Sequence, residues 1–163
     1  MFKDYDEGAD EASSLIMNGG GALISIMASK QTQKIALYLL KAAVRRIVLS
    51  VFTFDLELLA DALVEARQSR GVPVSVLCDR QQALKGSTKL QIERFGVMRQ
   101  AGVDIWLTNG HNGVSGNQHS KTLLVDNHFI VGSCNWTTNS RQNQEINTLL
   151  ALNESGIAAM ERV

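Results

Sequence analysis

Short runs of β-branched and aromatic residues alternate in this chain with stretches whose apolar residues recur at helical spacing, and few folds accommodate that alternation. Ile47-Val-Leu-Ser-Val-Phe-Thr-Phe, Val72–Leu77 and Val103–Leu107 have the composition of buried strands. Thr32–Arg46, a stretch from Asp55 to about Ser69, and residues 87–101 read as helices. Asp55 is placed to cap the second of them, and Gly71 and Gly102 to end the second and third. Helices alternating with buried strands imply an α/β layered sandwich with a largely parallel or mixed sheet. Phe52 and Phe54 alternate on the first strand and read as core.

The second half has a different rhythm. Ser120–Val125 and His128–Gly132 read as strands joined tightly at Asp126-Asn127, and Glu145–Leu152 as a last strand. Ser155 can cap a closing helix of about two turns, so either that short helix packs well against the domain of residues 21–163 or the domain is trimmed at its C-terminal end. Residues 1–20, acidic and followed by Gly19-Gly20-Gly21, read as a tail. The 163 residues suffice for one domain with its own core. Two cysteines, Cys78 and Cys134, are too few for a disulfide framework, which points to a reducing compartment. The longest apolar runs, Ala22–Ala28 and Ile35–Leu40, fall well short of a membrane span, and the acidic first residues are unlike a signal peptide.

Chemistry concentrates in His119-Ser-Lys121-Thr-Leu-Leu-Val-Asp126 and in Gly132-Ser133-Cys-Asn135. Residues i and i+2 of a strand share a face, so the spacing sets His119 beside Lys121 and Ser133 beside Asn135. Polar groups on one face of otherwise apolar strands are costly unless they are used. An imidazole, an ammonium, a hydroxyl and an amide form a phosphate-binding set with one titratable group. No Cys or His spacing suggests a zinc site, and Cys78 and Cys134 read as buried thiols. Trp136 reads as core.

These residues resemble the signature of the phospholipase D superfamily, H-x-K-x4-D-x6-G-S-x-N, at His119, Lys121, Asp126, Gly132, Ser133 and Asn135. The likeness continues through Asn135-Trp136-Thr137-Thr138 and Gln142-Asn143-Gln144-Glu145. It is similar there to the single-motif members, the Nuc-type endonucleases and the Zucchini or mitochondrial cardiolipin hydrolase group. The resemblance implies a phospholipase D-like layered sandwich, a mixed and mainly parallel sheet flanked by helices. It also implies phosphodiesterase activity without a metal or other cofactor, through a phosphohistidine formed on His119. One motif supplies half of such a site, so the expected form is a homodimer whose second His119 acts as acid and base. Lys121 and Asn135 are expected to hold phosphate oxygens, Ser133 to hydrogen-bond within that network, and Glu145 to orient the His119 ring. Asp126 belongs to the motif and reads as capping the turn before His128. Mitochondrial association follows from the resemblance alone.

The charge pattern bears on the substrate. Sixteen Lys and Arg balance sixteen Asp and Glu, but the sum hides an acidic beginning. Residues 1–29 carry one cation against five anions. Residues 80–99 hold Arg80, Lys85, Lys89, Arg94 and Arg99 against Glu93 alone. Lys85, Lys89 and Arg94 are therefore the expected flank of a groove for a polyanion, which favours single-stranded nucleic acid. A phosphodiester lipid such as cardiolipin is the alternative substrate. A non-catalytic binding module on the same fold is the third reading, and the intact motif counts against it.

Overall fold

The computed structural model describes residues 23–85, 89–109, 116–153 and 157. The first half alternates as its periodicity requires: β1 (Leu23–Ala28), α1 (Ser29–Ala42), β2 (Ile47–Val51), α2 (Glu57–Ser69), β3 (Val74–Asp79), α3 (Arg80–Lys85), α4 (Lys89–Gln100) and β4 (Asp104–Thr108). The second half adds β5 (Thr122–Val125), β6 (His128–Gly132), a 3-10 turn at Asn139–Gln142 and β7 (Gln144–Ala151). All seven strands form one mixed sheet in the order β1-β7-β6-β5-β2-β3-β4. The β2-β3 and β3-β4 pairs are parallel, because helices carry the chain back between them. The other four pairs are antiparallel. Gly71 and Gly102 take φ of 69° and 84°, the left-handed conformation that stops α2 and α4.

The core lies on one face of the sheet. Leu49, Val51, Val76, Leu123, Ile130 and Leu149 are buried there beneath Ile35, Leu39, Leu40, Leu59, Leu63, Phe95 and Met98 from α1, α2 and α4. The opposite face carries Val48, Leu77 and Trp106, and Trp106 is 64% exposed. Of the runs that read as buried strands, β2 is buried except at Val48, β3 is exposed at Leu77, and β4 at the sheet edge has no fully buried residue. The run Ala22–Ala28 holds a strand that its composition did not announce: β1 pairs with β7 and passes into α1 without a turn residue. The helix expected to close the chain lies outside the described residues except at Ile157.

Two carboxylates bond to groups that sequence reasoning did not foresee. Asp55 does not cap α2, whose N-cap is Leu56 without a side-chain bond. Its Oδ1 instead accepts from Thr138 N (2.6 Å) and Thr138 Oγ1 (3.1 Å), tying the start of α2 to the turn after Asn135. Asp126 sits at φ 53°, a left-handed conformation that Asp tolerates, in the two-residue turn between β5 and β6. Its Oδ2 accepts from Val44 N (3.0 Å), and its Oδ1 from Arg45 N (2.8 Å) and Arg46 N (3.0 Å). Those three bonds take the chain out of helix at Ala43, which is why α1 ends at Ala42 and not at Arg46. Five residues separate Asp126 from Gly132, one fewer than the signature carries, and the tight turn absorbs the difference.

Candidate active site

The pairing of β2 with β5, β5 with β6 and β6 with β7 brings four distant segments to one edge of the sheet. Ser50 faces Thr122, Thr122 faces Val131, and Gly132 faces Asn147. Residues 50–52, 118–121, 132–135 and 143–145 therefore meet, although up to 95 positions apart in sequence. β5 begins at Thr122, so His119 and Lys121 stand just before the strand and not on it. The His119 imidazole is exposed and lies 4.6 Å from the Phe52 ring centroid, tilted by 59°. Among the described residues it has no hydrogen-bond partner. Lys121 is buried; its Nζ donates to the His119 carbonyl (2.6 Å) and lies 5.3 Å from the centroid of the same Phe52 ring. The ring thus supports the imidazole and, by its quadrupole, the ammonium.

Phe52 was expected in the core with Phe54. Phe54 is fully buried and bridges Trp136, itself 1% exposed, but Phe52 is half-buried and belongs to the site. The signal was present: Phe52 shares its face of β2 with Ser50, a polar residue in an apolar strand.

On the other side of the pocket, Ser133 Oγ donates to Glu145 Oε2 in a short bond, and Asn143 Nδ2 donates to Glu145 Oε1 (3.1 Å). Within the protomer Glu145 makes no hydrogen bond to His119. The β6–β7 register sets its carboxylate against Ser133, across the pocket from the loop that bears the imidazole. Asn135 is half-buried, and its Oδ1 is buried without a hydrogen-bond partner among the described residues. Its backbone carbonyl accepts from Ser140 Oγ, which fixes the turn that follows. Asp126 lies at the far end of β5 from His119. His119, Lys121, Ser133, Asn135 and Glu145 are thus brought together, and Asp126 is not.

The family described as "Cardiolipin synthase, PLD-like domain" matches residues 36–160. The chain belongs to the phospholipase D-like family. A mitochondrial cardiolipin hydrolase of Mus musculus is 32% identical over 142 residues, 86% of this chain and 59% of that protein. The human protein of the same name is 34% identical over 113 residues, covering 68% and 40%. The chain spans 40–59% of the length of the curated relatives it matches. Among solved structures, Nuc of Salmonella typhimurium, a phospholipase D family member, superposes with a TM-score of 0.73 at 19% identity, covering 87% of this chain and 91% of that one. NucT of Helicobacter pylori gives 0.70 at 17%, with the same coverage. The mixed sheet with its helices is therefore a phospholipase D-like fold.

The basic stretch holds a less direct place in this phospholipase D-like chain. Lys89 Nζ lies 3.8 Å from Glu93 on α4, and Arg94 pairs with Glu57 of α2 at 3.2 Å. Both cations meet carboxylates of their own chain, and neither contacts the residues around His119. Lys85 closes α3, and its side chain lies outside the described residues, as does all of His111. Cations do border the site from another direction. Lys30 and Lys34 of α1 and Arg141 of the 3-10 turn line a groove of about 780 Å³ with Gln31, Asn143 and Gln144. Asn143 is also the residue that holds Glu145.

The thiols stand apart from this chemistry. Cys78 is fully buried, and burial together with the Asp79 charge pushes its thiol up to about 12. Burial likewise raises Cys134. Among the described residues, no three His, Cys, Asp or Glu side chains are grouped so that they could hold a metal ion. No described helix is long and apolar enough to cross a membrane.

Lys121 gives the site a titration that can be read. Burial lowers its ammonium from the ordinary lysine value of 10.5, and the Glu145 carboxylate opposes that shift. A reaction that needs the ammonium should lose rate on the alkaline side below 10.5. Glu145→Gln removes the opposing charge, so the alkaline limb of kcat/KM is expected to move lower still. Rate profiles from pH 7 to 11 for both forms measure this. A limb that stays in place or moves up in Glu145→Gln excludes Lys121 as the titrating group.

Proposed function

We propose that this chain is a metal-independent phosphodiesterase that cleaves single-stranded nucleic acid in an active site shared by two copies. His119 of one copy attacks phosphorus and forms a phosphohistidine, breaking the bond to the leaving oxygen. His119 of the partner subunit protonates that oxygen and then takes a proton from the water that releases the phosphate. Lys121 and the Asn135 amide hold the non-bridging oxygens as charge builds on them.

The observation that carries this reading is that the His119 ring rests on Phe52 without a hydrogen-bond partner among the described residues. A nucleophilic imidazole needs its second nitrogen held, or the wrong tautomer faces phosphorus. Among the described residues His119 has a ring contact with Phe52 and no hydrogen-bond partner, while Glu145 is held by Ser133 and Asn143. A two-fold axis through the pocket lets Glu145 of the partner subunit take the role expected of it from sequence. The groove beside Asn143 supports a polymeric anion, because Lys30, Lys34 and Arg141 extend positive potential beyond the scissile phosphate.

A phosphodiester lipid is the alternative, favoured by the cardiolipin hydrolases that the sequence matches. The test is to offer the purified protein labelled single-stranded RNA, single-stranded DNA and cardiolipin vesicles, all with EDTA present. Cleavage of nucleic acid is expected, with KM rising at least about tenfold between 50 and 200 mM salt. Hydrolysis of cardiolipin alone would overturn the substrate assignment. A strictly monomeric active protein in light scattering would overturn the shared site.

A further inference from the structure

We infer that Gln118 is a positioning residue for His119, acting from an anchor that Ser50 of β2 and Asp79 of β3 provide. The inference rests on the reading of His119 as nucleophile.

His119 lies in a segment that gives it no ladder bonds, since β5 starts three residues later at Thr122. A reacting group on such a backbone needs another restraint, because a displacement of about 1 Å can cost about 100-fold in rate. The neighbouring side chain supplies it. Gln118 is buried, and both ends of its amide are satisfied. Its Oε1 accepts from Ser120 N (2.7 Å) and Ser120 Oγ (3.0 Å), closing a ring across the His119 peptide units. Its Nε2 donates to Ser50 Oγ in a short bond, and Ser50 Oγ lies 2.6 Å from Ser120 Oγ.

The main chain of Gln118 is fixed as well. Its N–H donates to Asp79 Oδ2 (2.9 Å), and the other oxygen of that fully buried carboxylate caps α3 through Gln82 N (2.9 Å). On the far side, the Lys121 ammonium holds the His119 carbonyl. The His119 backbone is therefore clamped from both flanks by side chains, and the flank before it hangs from the ends of β2 and β3. A buried amide bonded at both its oxygen and its nitrogen is held in place, and losing those bonds leaves buried polar groups without partners. None of these groups touches the imidazole, so the clamp acts on the ring through the backbone that carries it.

The substitution Gln118→Leu keeps approximate shape and removes every side-chain bond. Gln118→Glu keeps the acceptor for Ser120 N and can accept from the Ser50 hydroxyl. Both are to be compared with the parent protein on bis(4-nitrophenyl) phosphate, together with the imidazole nitrogen signals of His119. The chain has three histidines, so a His119→Ala sample assigns the signal by difference. For Gln118→Leu, kcat is expected to fall about 10- to 100-fold, with KM within about threefold and the pH profile unshifted. The His119 signal should broaden or split. Gln118→Glu should recover kcat to within about fivefold of the parent.

A Gln118→Leu protein with kcat within about twofold of the parent overturns the inference, as does a loss confined to KM or an unchanged imidazole signal. If Gln118→Leu does not fold, Ser50→Ala removes the anchor alone and is read in the same way. A parent protein that hydrolyses no diester defeats the proposed activity instead, and the imidazole signals still decide whether Gln118 fixes the ring.

Discussion

His119→Ala is expected to reduce phosphodiester turnover at least about 10⁴-fold, since in the proposed shared site one substitution removes both the nucleophile and the general acid. The fold should barely notice. The imidazole is exposed, and its described contact is the Phe52 ring, so the melting temperature should stay within about 2 °C. Loss of activity without loss of fold separates chemistry from packing. Mixing then tests the sharing. Parent and His119→Ala chains refolded together in equal amounts give random dimers, of which about one quarter contain two intact copies. If each site needs both imidazoles, activity falls to about a quarter of the all-parent value. If each protomer works alone, it falls only to about half, and the shared site is wrong.

The same residues show how far a single sequence reaches. The spacing of two singled out the His119–Lys121 and Ser133–Asn135 pairs, but none of the four lies on a strand, since β5 begins at Thr122 and β6 ends at Gly132. The tight turn at Asp126 was legible because β-branched residues flank it. What remained hidden was held by long-range register. Phe52 supports His119 only because β2 pairs with β5, and no local pattern states that two strands 70 residues apart are neighbours. Gln118 was silent for the same reason, since its partners Ser50 and Asp79 lie on two other strands. Asp55 had a good capping position, and Thr138 outcompeted α2 for it through a contact 83 residues away. In the basic stretch, Glu93 stands four residues after Lys89 and was visible as its partner. Glu57 as the partner of Arg94 was not visible.

Gly132→Ala is expected to be the most damaging small substitution in the motif, destabilising the protein by about 2–4 kcal/mol and lowering the melting temperature by roughly 5–12 °C. A Cβ at this position would collide with Asn147 Oδ1 and stand 2.5 Å from Ile146 O and 2.7 Å from Asn147 Cα. Two of those obstacles are backbone, so no rotamer relieves them. The third is committed: Asn147 is 2% exposed, and its Oδ1 accepts from Cys134 N (3.2 Å). The Ile146 carbonyl accepts from Ser133 N (3.2 Å) in the same way. Parting β6 from β7 to admit a methyl group therefore stretches the two bonds that seat Ser133 and Cys134, and with them Asn135. Activity should fall further than stability alone explains, by about tenfold or more at a temperature where the variant is folded. Gly96→Ala is the control. That glycine lies inside α4 with nothing within 4 Å of an added Cβ, and alanine there should stabilise by about 0.5–1 kcal/mol. The same chemical change then acts with opposite sign at two sites. Thermal melts that rank the two variants equal would show that the close approach of β6 to β7 does not seat Ser133 and Asn135.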